Sequence, residues 1–379
     1  MTVGAVELGQ PTEIAARSPR ELFMRRLRQD RVAIASLIII AFLILAAIFA
    51  PLIVKIVGAH PPNQQNTEVL DSFGLGSGPQ KGYLFGTDDL GRDVFSRVLY
   101  GARVSLMVAF IATGLVLIIG VTVGMIAGYY RGRVDSFFSR SIDIILAFPV
   151  LLLALGFGAA CAIEGCLPAR STGVWIFGVG IVLLLLPAAV QIVKGRGLAG
   201  LRRLARDDWM LRLSPGIVIA LAAILMMLFG DGKALVQPGL PVVIFVIVFS
   251  GWPYMARLIR GQVLSIREKE FIEAAQSLGA SDARIIFKHI LPNLIAPIVV
   301  YATLLIPTNI LYEAALSFLG VGVVPPTSSW GAMLSDASTK YASAWWYMTF
   351  PGLALLVTVL AFNLVGDGLQ DALNPRGGR

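Results

Sequence analysis

The sequence predicts an all-α fold, a polytopic membrane helix bundle, and three observations predict it. Of the 379 residues, 56% are hydrophobic and only 14% charged, too apolar a balance for a soluble domain or for disorder. Several uncharged stretches approach or exceed the roughly 20 residues that cross a bilayer core at helical rise. In lipid the backbone must satisfy its own hydrogen bonds, which makes those stretches helices. The net charge of +8 does not point to nucleic acid, because Lys and Arg sit between apolar segments and not on one polar domain. Retention of basic residues in cytoplasmic loops accounts for that pattern.

Residues 1–31 form a polar, basic tail ending in Arg17, Arg20, Arg25, Arg26, Arg28 and Arg31, an orientation anchor for the apolar stretch 32–54. That stretch is too long, and its leader too extended, for a signal peptide, so it reads as an uncleaved first span. A polar segment from His60 to Gln80 leads into Phe85-Gly86-Thr87-Asp88-Asp89-Leu90-Gly91-Arg92-Asp93. From Val94 the apolar positions Val94, Leu99 and Val104, with Arg97 and Arg103 between them, predict an amphipathic helix at the outer interface. This closes a first region, 32–103. Spans at 104–128 and 142–160 build the next, 104–161. Spans at 173–193 and 215–230 follow, the second short and flanked by Pro215 and Gly230, which suits a tilted, kinked or re-entrant helix. Spans at 239–257, 294–318 and 347–366 bring the expectation to eight. With the N-terminus inside, 23 of the 31 Lys and Arg residues fall on the cytoplasmic side, so both termini are expected there.

Cys161 and Cys166 fall in a short outer turn, where a local disulfide and two unpaired thiols both remain open. With His60 and His289 as the only histidines, no metal site of familiar spacing emerges.

The most informative segment is 268–292. Residues from Glu268 through Glu270, Phe271, Glu273, Ala274 and Ala275 to Leu278 are good helix formers. Gly279 suits the left-handed position after a helix, followed by Ala280; Ser281 suits the cap of a second helix, with Asp282 favouring its positive end. That helix carries Arg284, Ile285, Ile286 and Phe287, and Pro292 stops it or bends it into the membrane. Ala274 and Ala275 allow another surface to approach closely. Phe271, Leu278, Ile285, Ile286 and Phe287 would expose a larger apolar patch than a free loop should carry. Physical reasoning leaves two readings open, docking of a partner or packing on the chain's own helix ends.

Glu273-Ala274-Ala275, Gly279 four residues on, and Ile290-Leu291-Pro292 resemble the coupling-loop signature of ABC importer permeases. Phe85 to Asp88 with Gly91-Arg92-Asp93, Ile145 to Pro149, Leu316 to Gly320 with Pro325-Pro326 and Ser329-Trp330-Gly331, and Asn363 to Leu369 with Asp371 to Arg376 extend the likeness. Together they are similar to the C-type permeases of dipeptide, oligopeptide and nickel uptake systems over roughly 30–160 and 215–376. The resemblance implies a type I ABC importer permease fold of six spans, here with a two-span insertion at 162–213 before a second core region, 214–379. It implies a loop that docks in an ATPase subunit, and as partners one or two ATPases, a second homologous permease and an extracytoplasmic substrate-binding protein. It also implies no cofactor and no enzyme activity in this chain, with ATP and Mg bound by the ATPase. No G-x-x-x-x-G-K-[ST] loop occurs in the sequence; Gly230-Asp231-Gly232-Lys233-Ala234 lacks the spacing and the hydroxyl. The basic inserted loop, Lys194 to Arg212, suits anionic membrane lipid, with an ATPase contact as a lesser reading. A nickel-type permease, a secondary transporter or channel driven by an ion gradient, and a non-transporting ATPase scaffold are the alternatives. The near absence of ionisable groups in the spans disfavours the ion-driven reading.

Three smaller groups complete the reading. Glu313 in the seventh span either joins Thr308 and Asn309 on a translocation path or is held structurally near the outer end, the second being favoured. Asp143 is expected to cap its helix or pair with Arg140. Trp345, Trp346 and Tyr347 are expected to form an interfacial aromatic belt.

Overall fold

The computed structural model describes residues 19–72, 74–156, 166–168, 234–236 and 239–373. A short helix, α1 (Pro19–Gln29), precedes α2 (Arg31–Ile48), which Asp30 caps by accepting from the Val32 and Ala33 N–H groups at 2.9 and 3.0 Å. After a break at Phe49 the chain continues as α3 (Ala50–Val57), with Pro51 in the first turn where its missing N–H costs nothing. Then come α4 (Val94–Tyr130), α5 (Gly132–Leu146) and α6 (Val150–Gly156). Next are α7 (Leu240–Arg267), α8 (Glu270–Ser277), α9 (Asp282–Arg284), α10 (Leu291–Phe318), α11 (Trp330–Ala337) and α12 (Trp345–Leu373). One two-stranded antiparallel ribbon, β1 (Cys166–Pro168) with β2 (Ala234–Val236), pairs Cys166 with Val236 and Pro168 with Ala234.

Among the described residues five helices are long and apolar enough to cross a membrane: α2, α4, α7, the helical run Asp282–Phe318 and α12. The pair α5–α6, bent by 75°, makes a sixth if it is one span. The architecture is an all-α membrane bundle. The expected spans 173–193 and 215–230, the inserted basic loop and Cys161 lie outside the described residues. The expected span 142–160 is corrected: its helix begins ten residues earlier, at Gly132, and breaks at Phe148, where the ring of Pro149 disfavours helical geometry in the residue before it.

The helix α4 is the centre of the bundle, because each of the four apolar core clusters draws residues from it. Its 37 residues span about 55 Å at helical rise, well beyond the roughly 30 Å of bilayer hydrocarbon. This corrects the expectation of a separate interfacial helix from Val94. Val94, Val98 and Arg97 are buried in the first turns of α4 itself. Arg97 tolerates burial because its Nε lies 3.5 Å from Asp88 Oδ2 and its Nη1 donates to the Pro62 carbonyl at 3.4 Å. Arg103 alone of the pair stays exposed, donating to the Ile48 carbonyl at 3.3 Å.

Close approach of α4 to α7 depends on Gly120, Gly124 and Gly128, spaced four apart. A Cβ at Gly124 would sit 2.7 Å from the Ala256 carbonyl oxygen and 2.8 Å from Ile259 Cβ. Small residues let two backbones meet where lipid supplies no hydrophobic drive of its own. Ion pairs of Arg257 with Asp143 and Arg260 with Asp135 tie α5 to α7. Asp143 thus pairs across helices, not with Arg140 one turn away.

At the opposite end of the bundle from the 268–292 loop, the segment 58–93 folds onto α11 and the start of α12. Trp330 is fully buried and donates from Nε1 to the Val98 carbonyl at 3.0 Å. Trp346 donates from Nε1 to the Thr87 carbonyl at 3.0 Å, and Gly86, at φ +77°, leaves no room for a Cβ beside that indole. Trp346 is therefore a buried fastener for the 58–93 segment, Tyr347 is buried and donates its hydroxyl to Asp336 of α11 at 3.1 Å, and of the three only Trp345 keeps the exposure of a belt residue.

Candidate functional site

The 268–292 loop is built from local signals that close in sequence. Lys269 is extended, α8 begins at Glu270, and Glu270 and Glu273 lie in its first turn, where the helix dipole favours acids. Leu278 ends the helix and Gly279 takes φ +77°. The Gly279 N–H donates to the Gln276 carbonyl at 2.9 Å and the Ala280 N–H to the Ala275 carbonyl at 3.0 Å, the two bonds of a Schellman cap. Ser281 Oγ then accepts from the Arg284 N–H at 3.4 Å to start α9.

Of the two outcomes the sequence leaves open at Pro292, a stop or a bend, the stop does not occur, and helix continues on both sides of it. Residues Ile285–Ile290 form a π-helical stretch, and the Leu291 N–H donates to the Ile286 carbonyl, five residues back. The wider turn delivers Pro292 to the first turn of α10, where no donor is missed. Asn293 Nδ2 donates to the His289 carbonyl at 2.7 Å across the junction.

The loop has two faces. Ile272, Ala275, Ile285 and Ile286 are buried, the isoleucines in one cluster with Tyr129, Ile259, Val263, Ile290 and Leu294. On the other face Phe271 is 43%, Phe287 55% and Leu278 88% exposed, with Glu270, Glu273, Ala274 and Arg284 around them. The expected exposed patch is thus corrected. Ile285 and Ile286 seat the loop, Ala275 faces inward, and only Ala274 of the alanine pair offers a close approach outside. Helical spacing explains the division, since Ile272 and Ala275 are three apart on the inward stripe. One face therefore packs on the chain's own helix ends, and the opposite face presents the exposed apolar side chains.

Residues that the sequence did not single out hold this loop in place. Tyr129, at the end of α4, donates from its hydroxyl to Asp282 Oδ1 at 2.9 Å and accepts at its carbonyl from Arg267 Nη1 at 2.5 Å. The Arg267 guanidinium also lies 5.4 Å from the Tyr129 ring centroid. Arg131 Nη2 pairs with Glu268 Oε1 at 2.5 Å. No local pattern announces contacts that join positions more than a hundred residues apart.

The second candidate group separates. Thr308 is exposed and, among the described residues, bonds its own helix through the Leu304 carbonyl at 3.0 Å. Asn309 is buried and donates to Thr113 Oγ1 at 2.8 Å. Glu313 is fully buried and accepts from Ser105 Oγ at 2.6 Å and Ser317 Oγ at 2.8 Å. Asn309 and Glu313 thus join α10 to α4 on one face, and Thr308 looks away from them.

Residues 120–378 match the family described as binding-protein-dependent transport system inner membrane component, and residues 18–73 match the N-terminal TM domain of oligopeptide transport permease C. The dipeptide transport system permease protein DppC of Alkalihalophilus pseudofirmus is 37% identical over 96% of this chain and 92% of its own length. A putative peptide transport system permease of Brucella abortus is 33% identical over 98% of each chain. The glutathione transport system permease protein GsiD of Escherichia coli is 35% identical over 99% of this chain and 95% of its own. A solved inward-facing structure of the MetNI methionine ABC transporter superposes with a TM-score of 0.44 at 17% identity, covering 73% of this chain and 96% of that one, too loosely to bear on the fold. The chain is a multi-pass membrane permease subunit that belongs to the family of binding-protein-dependent transport system inner membrane components.

Proposed function

We propose that this subunit forms half of the translocation pathway of an ATP-driven importer of peptides, with the 268–292 loop docked into a separate ATPase. One observation carries the docking: a capped, firmly seated loop turns Phe271, Leu278 and Phe287 outward, where its own packing has no use for them. An exposed apolar patch of that kind marks an interaction site. The names of the relatives, dipeptide, peptide and glutathione permeases, support peptides as the cargo.

The loop shares its end of the bundle with the start of α2 and the end of α12, where Gly368 packs against Ala33 and Asp30. On this reading that end is cytoplasmic and both termini lie there, as the distribution of Lys and Arg also favours. A homologous permease supplies the other half of the path, and an extracytoplasmic binding protein delivers the substrate. One or two ATPase subunits bind ATP and Mg, and their closure shifts the loops and reorients the paired permeases; the assembled complex hydrolyses ATP although this chain has no ATP site.

The test is Leu278→Glu combined with Phe271→Ser, both at exposed positions. The variant should insert and pair with its permease partner, yet lose copurification of the ATPase and uptake of a radiolabelled dipeptide. ATPase copurifying at the parent level would sink the docking assignment.

A further inference from the structure

The two limbs of the loop, Arg267 at the end of α7 and Asp282 at the start of α9, both terminate on one residue of α4, the first on its carbonyl and the second on its side chain. Tyr129 receives Arg267 at its carbonyl and gives its hydroxyl to Asp282, at 2.5 and 2.9 Å. It is buried, packed with Val263, Ile272 and Ile285. The neighbouring Arg131–Glu268 pair is different in kind: its side chains are 47% and 69% exposed, the class of ion pair that contributes little. No proline interrupts α4, and its glycines seat it against α7, so it moves as a rod. About 45 Å further along the rod, at helical rise, the Val98 carbonyl holds Trp330; nearer the middle, Ser105 holds Glu313.

We propose that Tyr129 is the positioning residue through which displacement of the 268–292 loop is passed to α4, and along α4 to the far end of the bundle. The inference rests on the docking assignment above, since a loop that meets no ATPase has no displacement to pass. With both limbs fixed to one residue, the loop cannot swing on its flanking helices without drawing α4 along. The hydroxyl is the critical group because it reaches the second limb of the loop, at Asp282. The acceptor is a carboxylate oxygen, and hydrogen bonds to carboxylates are about twice as strong as neutral ones.

The test uses the whole transporter in proteoliposomes, with a radiolabelled dipeptide that the parent complex takes up. Tyr129→Phe keeps the ring, the carbonyl and the contact with Arg267 and removes only the hydroxyl. It should retain the ATPase and its hydrolysis, while dipeptide taken up per ATP hydrolysed falls about tenfold, the factor one hydrogen bond to a carboxylate is worth. Asp282→Ala should do the same, and the double variant should be no worse than either single one, because one bond is lost in all three. Gly114→Ala, on the same helix where a Cβ meets nothing within 4 Å, is the control and should leave the ratio unchanged. A ratio within twofold of the parent in Tyr129→Phe would overturn the inference, as would additive losses in the double variant. A lowered melting temperature with an unchanged ratio would make the bond merely structural and overturn it equally. The docking assignment fails by a separate readout, ATPase that still copurifies with the Leu278→Glu, Phe271→Ser variant, so the two failures are told apart.

Discussion

Asp88 should be among the most sensitive positions outside the membrane spans, and the structure gives the size of the effect. Its carboxylate is fully buried, with Oδ1 accepting from the Leu90 and Arg92 N–H groups at 2.9 Å each. Its Oδ2 takes Arg92 Nε at 2.6 Å and lies 3.5 Å from Arg97 Nε. One anion therefore stands between two buried guanidinium groups. Removing one partner of a buried ion pair costs about 3–5 kcal/mol, and each backbone donor left unsatisfied adds about 1–3 kcal/mol. Asp88→Asn loses the charge but keeps an oxygen for the two N–H groups; Asp88→Ala loses both. Asn should thus cost about 3 kcal/mol and Ala at least about 5 kcal/mol, a large part of the stability of an ordinary domain. Melting of the purified protein in detergent should fall by several degrees for Asn and further for Ala, with faster proteolysis of the 58–93 segment. Adding Arg97→Met to Asp88→Asn removes the excess buried cation and should restore part of the loss. Both single variants melting with the parent, or no recovery in the double one, would refute this account of the cluster.

Two further outcomes follow from the fold. Gly124→Val would place a Cβ within 2.8 Å of α7 atoms and push the two helices apart, costing about 1–3 kcal/mol of overpacking, whereas Gly114→Ala, which meets nothing within 4 Å, should melt with the parent or slightly above it. Asp93 caps α4 through the Phe95 and Ser96 N–H groups and also accepts from the His60 N–H, yet burial outweighs these bonds and pushes its carboxyl above the usual carboxylate range. The native state then holds that proton more tightly than the unfolded chain, so this group's contribution to stability is full below about pH 3.9 and is lost as pH rises through its raised value. Asp93→Asn keeps the cap and removes that slope, so melting measured across acidic pH should vary less in the variant, and an identical pH profile would argue against it.

What could be read from the sequence was local or periodic. Gly279 and Ser281 announced the turn and cap of the 268–292 loop because each position's demand, a positive φ and a side-chain acceptor, is met by the residue itself. The spans around α2, α7, α10 and α12 were legible because 20 apolar residues leave few alternatives in lipid. Apart from the break at Phe148, which Pro149 sets locally, the errors came mainly from contacts between distant segments. Arg97 looked interfacial because nothing nearby in sequence reveals that Asp88 and the Pro62 carbonyl will enclose it. Asp143 had Arg140 one turn away, but Arg257 reaches it across helices. Ile285 and Ile286 counted as exposed until the α4 and α7 surfaces under the loop were known. The π-helical stretch was invisible for a related reason, since Pro292 signals that a helical bond must be lost and does not say how the backbone will adjust.

The placement of polar bonds along α4 carries a last step. Among the described residues its polar contacts to other parts of the chain gather at two places: Arg97, the Val98 carbonyl, Ser105 and Thr113 in one half, and Tyr129 at the other end. Between Thr113 and Tyr129 the inward side is small or apolar, with Val116, Gly120, Gly124 and Gly128 fitted to α7. Interlocked small residues fix the distance between two helices without a directional bond, so α4 and α7 are suited to travel as one body. Polar bonds, by contrast, resist the separation of particular atoms, and those of α4 lead to the 268–292 loop at one end and to α10, α11 and the 58–93 segment at the other. A helix whose middle is bound to its neighbour by shape, and whose ends are bound to different segments by directional bonds, is suited to carry a displacement between those segments. A uniform row of polar bonds along α4 would instead have tied every level of the bundle together and left no segment free to respond.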